Sequence, residues 1–149
     1  MAGLIGSDNY GYKSLGLKKP HGIFLAYSAV SFDEYFDVYN DNSQNEQIRN
    51  ACGEFLRRIG GVKFTRESLH EFDLSKHFSN DYPPVYIVAN EDDATVPVSN
   101  SYLLDKLCNI YNIKHITNIG RIGGHSFGLG NGLEVEGWLN KCVKWWENL

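Results

Sequence analysis

The stretch Gly124-His125-Ser126-Phe127-Gly128 sets a histidine and a serine side by side among glycines, and either could do chemistry. Read as Gly-x-Ser-x-Gly, it has the form of a turn that lifts a nucleophilic serine above a strand. A serine so placed needs a base, and in that arrangement the acid and the histidine follow it in the chain. Residues 127–149 contain no histidine and no aspartate, so Ser126 has no partners in the required order. His125 fares better. The upstream stretch "ANEDDATVPV" carries an acidic loop with Asp92 and Asp93. A carboxylate can fix an imidazole's tautomer, and the imidazole can then take a proton from a nucleophile and return one to a leaving group. The glycines let the backbone turn sharply beneath His125 and raise its side chain.

The elements around these two loops determine whether they can meet. "GIFLAYS" at residues 22–28 is a short apolar run of the kind found in strands buried on both faces. "YPPVYIVAN" predicts a second strand, entered through two prolines and closed by Asn90, and residues 113–119 predict a third. Between them, residues 99–111 place Tyr102, Leu103, Leu104, Leu107, Cys108 and Tyr111 on one broad helical face. Residues 43–59 repeat Ile48, Cys52, Phe55, Leu56 and Ile59 at helical spacing, and Gly60-Gly61 stops that helix. The polar stretch before it, with "YNDNSQNEQ", reads as loop, and Thr65 caps a short helix running to Phe72. Residues 133–148 predict a last helix whose Trp138, Trp145 and Trp146 supply core packing. Residues 1–17 read as a helix followed by a loop. Strands alternating with helices predict a parallel, layered α/β sheet, in which chemistry sits at the carboxyl ends of the strands. Both candidate loops follow strands, so they open on the same edge.

The length of 149 residues suits one domain with a real core. The formal charge of −4 comes from 14 basic and 18 acidic residues of mixed order, with no basic block, which argues against nucleic acid as a partner. The longest apolar runs are too short to span a membrane. Cys52, Cys108 and Cys142 show no metal-ligand spacing and stand beside apolar residues in helical patterns, so they read as small buried hydrophobes. Unpaired cysteines fit a reducing compartment, and the expected location is the cytoplasm. His115 reads as an ordinary packing or surface residue within a strand, and His21, His70 and His77 have no partner pattern.

Taken together, "PPVYIVANEDDATVPVSNSYLLDKL" and "GRIGGHSFGLG" resemble the C-terminal part of α/β-hydrolase-fold esterases and lipases, most closely the acetyl-esterase and xylan-esterase-like group. That family orders two prolines, a strand, an aspartate-bearing loop with Val-Pro, a helix, a strand and a Gly-Gly-His-x-Phe loop. "KKPHGIFLAYSAVS" is similar to the strand after the family's nucleophile helix, with Ser28 in place of the usual proline. The resemblance spans residues 18–149. It implies that Asp93, from its spacing to Pro97, is the triad acid and His125 the triad histidine. Asn90 and Glu91 depart from the small residues common there.

The resemblance also implies what to expect beyond these residues. "MAGLIGSDNYGYKSLGLKKP" is similar to the helix and loop immediately after a nucleophile elbow, so the serine and the oxyanion loop are expected upstream of Met1. Residues 1–149 are then a single, incomplete α/β-hydrolase domain of about three parallel strands flanked by helices. The intact enzyme would cleave a small-molecule ester of a short acyl group, without metal or organic cofactor. This chain alone would be inactive. A non-catalytic structural or interaction chain, or part of a peptidase of the same fold, are the alternatives. The first strand would lack its usual neighbour, and an unpaired apolar edge predicts self-association into a homo-oligomer.

Overall fold

The computed structural model describes residues 2–7 and 10–149. The chain forms two compact units: residues 1–30 with His77–Leu149, and Ser31–Lys76.

The first unit is built on a parallel three-stranded sheet, β1 (Ile23–Ala26), β2 (Val85–Asn90) and β3 (His115–Gly120), in the order β1-β2-β3. Val85 stands opposite Ile23 on one side and His115 on the other. Proline has no N–H to give a sheet ladder, so β2 begins only after Pro83-Pro84. The Pro84 carbonyl still accepts from the Ile23 amide at 2.8 Å. All six residues of β2 are buried, as a central strand covered on both faces requires.

Strand β1 differs from its expected burial on both faces. Ile23 and Leu25 are buried, but Phe24 is 39% exposed. Among the described residues no strand pairs with the outer side of β1, so it is an edge and its pattern alternates.

Helix α4 (Ser99–Ile110) joins β2 to β3 and buries Leu104 and Cys108. Its Tyr102, expected on the apolar face, is exposed. Asn112, at φ 54°, turns the chain from the helix end into β3, and the Ile113 amide closes back on the Cys108 carbonyl at 2.8 Å. His115 lies in β3 as expected, with Nδ1 facing the Ile113 carbonyl at 2.8 Å and Nε2 facing Asp105 at 3.2 Å.

The last helix, α5 (Trp138–Trp146), starts later than its apolar pattern suggests. Gly137 adopts φ 73°, a left-handed turn that stops the helix extending back to Leu133. Val135, in the turns before it, is fully buried with Tyr86, Val88 and Cys142, and Trp138, Trp145 and Phe127 pack around that cluster. Trp146 is 39% exposed and sets its ring edge-on to His21, so only two of the three tryptophans join this core. All three cysteines are free; Cys108 and Cys142 are buried and Cys52 half-buried.

Residues Ala2–Gly6 form a short 3-10 helix rather than an α-helix. Tyr82, nearly fully buried and stacked on Phe78 at 4.2 Å, donates its hydroxyl to the Gly3 carbonyl. A Cβ on Gly6 would meet the Tyr82 ring at 2.6 Å, so this close approach requires glycine.

The second unit holds α1 (Asp33–Asn40), α2 (Glu46–Gly60) and α3 (Arg66–His70). Helix α1 falls in the stretch whose polar residues gave no helical signal. Its buried Tyr35 and the neighbouring Phe32 pack on Phe55 of α2, with Tyr35 and Phe55 at 4.8 Å. Asn45 caps α2 by accepting from the Gln47 amide, and Gly61 at φ 83° ends it. Thr65 caps α3, which stops at His70 rather than Phe72. Asp73 is fully buried; it accepts from the Phe32 amide at 3.0 Å, the Ser31 hydroxyl at 2.7 Å and the Ser75 amide at 2.9 Å. One carboxylate therefore binds the entry and the exit of this unit.

Candidate active site

Strand β2 delivers the acid. After Asn90 the chain turns, and the Asp93 amide bonds back to the Asn90 carbonyl. Asp93 Oδ1 accepts from the amides of Thr95 and Val96, both at 2.9 Å. These bonds fix the side chain before any partner is considered. Its other oxygen, Oδ2, lies 2.8 Å from His125 Nδ1. The Asp93 side chain is 1% exposed and that of His125 26%.

A carboxylate oxygen only accepts, so Nδ1 donates and carries the proton. In the tautomer with its only proton on Nδ1, Nε2 carries the lone pair. It makes no hydrogen bond among the described residues. The arrangement is an oriented base with its working atom open: it can receive a proton at Nε2, and the buried Asp93 then faces the resulting cation.

Strand β3 leads into the loop that carries His125. The loop after Gly120 is pinned on its outer side, where Arg121 bonds Glu134 through its amide at 2.8 Å and its Nε at 2.6 Å. Farther on, the Trp138 indole donates to the Gly128 carbonyl at 2.8 Å. Tyr27 stands beside His125. It follows β1 at φ 40°, a conformation that strains a non-glycine residue, and its amide donates to the Val88 carbonyl at 2.7 Å. Its ring meets His125 edge-on at 4.8 Å and Phe127 at 5.0 Å. The imidazole is thus held by Asp93 at one nitrogen and by an aromatic ring at its side.

Asp92, the other acid of the loop, does not reach His125. Its Oδ1 accepts from the amides of Gly123 at 3.0 Å and Gly124 at 2.7 Å. These bonds, the one from Gly124 foremost, hold the Asp92 carboxyl below the usual aspartate range. A group lowered on folding stabilises the fold above its unfolded value and loses that contribution as the pH falls through the folded one. The Asp92 contacts are therefore complete at neutral pH and break only in acid. Asn90, fully buried, donates from Nδ2 to the Gly124 carbonyl at 3.3 Å. A Cβ on Gly120 or Gly123 would lie 2.5 Å from its side chain, so both glycines are required beside it. The acidic pair and the glycines are visible in the sequence, but these contacts are not, because hydrogen bonds to backbone leave no spacing pattern.

Ser126 is exposed, at φ 58°, and makes no hydrogen bond to His125 among the described residues. Among the described residues, no group of three or more histidine, cysteine or acidic side chains could hold a metal ion, and no helix is long and apolar enough to cross a membrane.

No family model matches the chain. Endo-1,4-beta-xylanase B of Butyrivibrio fibrisolvens is 26% identical over 120 residues, which cover 80% of this chain and 16% of that protein. Among solved structures, the acetyl ester-xyloside bifunctional hydrolase of Caldicellulosiruptor lactoaceticus superposes with a TM-score of 0.67 at 24% identity, covering 87% of this chain and 42% of that one. The carboxylesterase Cest-2923 of Lactobacillus plantarum WCFS1 gives 0.62 at 12% identity, over 99% and 52%. MGS-M1, an α/β hydrolase enzyme from a Medee basin deep-sea metagenome library, gives 0.59 at 16% identity, over 99% and 48%. The chain spans about half the length of these solved structures.

Proposed function

From the premise that the chain carries the C-terminal portion of an α/β-hydrolase fold, we propose that it is the acid- and base-bearing part of a serine carboxylic-ester hydrolase for short acyl esters, such as acetylated sugars. The observation that carries this is the 2.8 Å contact between Asp93 Oδ2 and His125 Nδ1, with Nε2 open. Neighbours whose own names give ester or carbohydrate-ester hydrolysis support the substrate class.

In this reading the nucleophilic serine comes from residues preceding this chain. His125 Nε2 takes the serine proton as its oxygen attacks the ester carbonyl, then gives a proton to the departing alcohol oxygen. An acyl-enzyme remains. His125 next takes a proton from water, whose oxygen attacks the acyl carbon; the bond to the serine oxygen breaks, His125 returns that proton to the serine oxygen, and the acid leaves. Asp93 keeps Nδ1 protonated and stabilises the imidazolium at each stage. A fluorescent phosphonate that traps activated serines tests this. It is expected to label a polypeptide extended upstream to include a Gly-x-Ser-x-Gly elbow, and not the 149-residue chain. Absence of label on the extended polypeptide would refute the reading.

One observation favours a second reading, a non-catalytic structural or interaction chain. Among the described residues no serine hydroxyl bonds His125. An authentic start at Met1 with no upstream elbow in frame would decide for it.

Self-association is expected through the edge of β1, which exposes Phe24 and pairs with no other strand among the described residues. Leu139, Val143 and Trp146 on α5, each 39% exposed, add a second apolar face. Light scattering is expected to show a dimer or larger species, shifted toward monomer by Phe24→Lys. A monodisperse monomer of the unaltered chain would count against it.

A further inference from the structure

We infer that Asp92 and Asn90 are positioning residues, which clamp the Gly123-Gly124 peptides and so set where His125 stands over Asp93. The inference rests on the reading of Asp93 and His125 as acid and base. Three of the four residues from Asn90 to Asp93 contact the histidine loop. Asn90 donates to the Gly124 carbonyl, Asp92 accepts from the Gly123 and Gly124 amides, and Asp93 takes His125 Nδ1. Glu91 turns the other way, to the Tyr102 hydroxyl at 3.2 Å.

The clamp sits where the chain most needs it. Gly123 and Gly124 have φ 152° and 59°, and two successive glycines give the backbone wide freedom just before His125. Two successive amides turned toward one carboxylate form a small anion-binding concavity, filled here by the protein's own Asp92. Gly124 is bound at both ends, its N–H by Asp92 and its C=O by Asn90. The backbone that carries the base is thereby fixed to the loop that carries the acid. Asp93 alone holds only the ring. With Asp92 removed, the ring would be tethered through a loose backbone, and the geometry at Nε2 would spread over many positions.

The test is NMR on the isotope-labelled 149-residue chain, reading the His125 Nδ1–H resonance and amide exchange at Gly123 and Gly124. In the unaltered chain the Nδ1–H resonance is expected downfield and sharp. Asp92→Ala is expected to speed exchange at both glycines about ten-fold or more and to broaden or remove the Nδ1–H signal, with little change in Tm. Asp92→Asn, which keeps an acceptor oxygen, is expected to restore much of both readouts. Asp93→Asn should remove the Nδ1–H signal and leave both glycines protected. If Asp92→Ala leaves either readout unchanged, the clamp is overturned while the acid-base reading stands. Absence of the Nδ1–H resonance from the unaltered chain overturns the acid-base reading, and the clamp with it.

Discussion

Purified as the 149-residue chain, the protein is expected to hydrolyse p-nitrophenyl acetate no faster than buffer. Joined to upstream residues that supply a serine elbow, it is expected to turn the ester over. In that longer polypeptide His125→Ala should lower kcat by about 10⁶-fold and Asp93→Asn by about 10⁴-fold. The two differ because His125 moves the proton, while Asp93 only orients it and balances its charge. Loss of Asp93 also permits the wrong tautomer, with the proton on Nε2 where the serine needs a lone pair. The isolated chain should be silent because an oriented base has no nucleophile to act on. On the proposed reading the elbow's backbone donor to the developing oxyanion comes with the upstream residues, and each such donor is commonly worth about 3 kcal/mol of transition-state stabilisation. Ser126→Ala should change nothing in either form. Turnover by the isolated chain that disappears in both His125→Ala and Asp93→Asn would show that the nucleophile lies within these residues after all.

Asp73→Ala is expected to give the largest loss of stability outside the sheet. Asp73 is fully buried and gathers the Phe32 amide, the Ser31 and Ser75 hydroxyls and the Ser75 amide. Truncation leaves the Phe32 N–H buried without its acceptor and takes from both serine hydroxyls the carboxylate they donate to, which costs about 3 kcal/mol. Ser31–Lys76 is short for a compact unit, so its margin is small. Asp73→Asn, with one oxygen left to accept, should lose less. Denaturation followed by circular dichroism, with amide exchange across α1 and α2, measures both. Equal stability of Asp73→Ala and the unaltered chain would show that the carboxylate does not close the unit.

The sequence made the strands and the long helices legible because burial imposes a period. "VYIVAN" is buried throughout and reads as a strand, and Leu104 and Cys108 share the buried side of α4. Helix α1 was not legible. Half of "DEYFDVYN" is acid or amide, and only Tyr35 within it is buried outright. The start of α5 was misread for a different reason: Val135 continues the apolar pattern, but Gly137 breaks the helix between them. At the site, the neighbouring positions of Asp93 and His125 follow from strand order and could be anticipated. The work of Asp92 and Asn90 could not, since their partners are main-chain atoms with no identity in the sequence.

The sheet's connectivity bears on the order in which the chain assembles. Strands β2 and β3 are joined through α4 alone, whereas the whole of Ser31–Lys76 intervenes between β1 and β2. Closing a longer connection costs more chain entropy, about 0.6 kcal/mol for each doubling. We therefore expect β2, α4 and β3 to come together first and β1 to dock on them later. Pulse-labelled hydrogen exchange during refolding should protect Ile116 and Asn118, whose amides face β2, before Leu25 and Tyr27; the reverse order would refute this. Because Tyr27 directly follows β1 and packs beside His125, the surroundings of the imidazole would mature last, so that a nascent chain brings Asp93 and His125 together before the aromatic wall beside them.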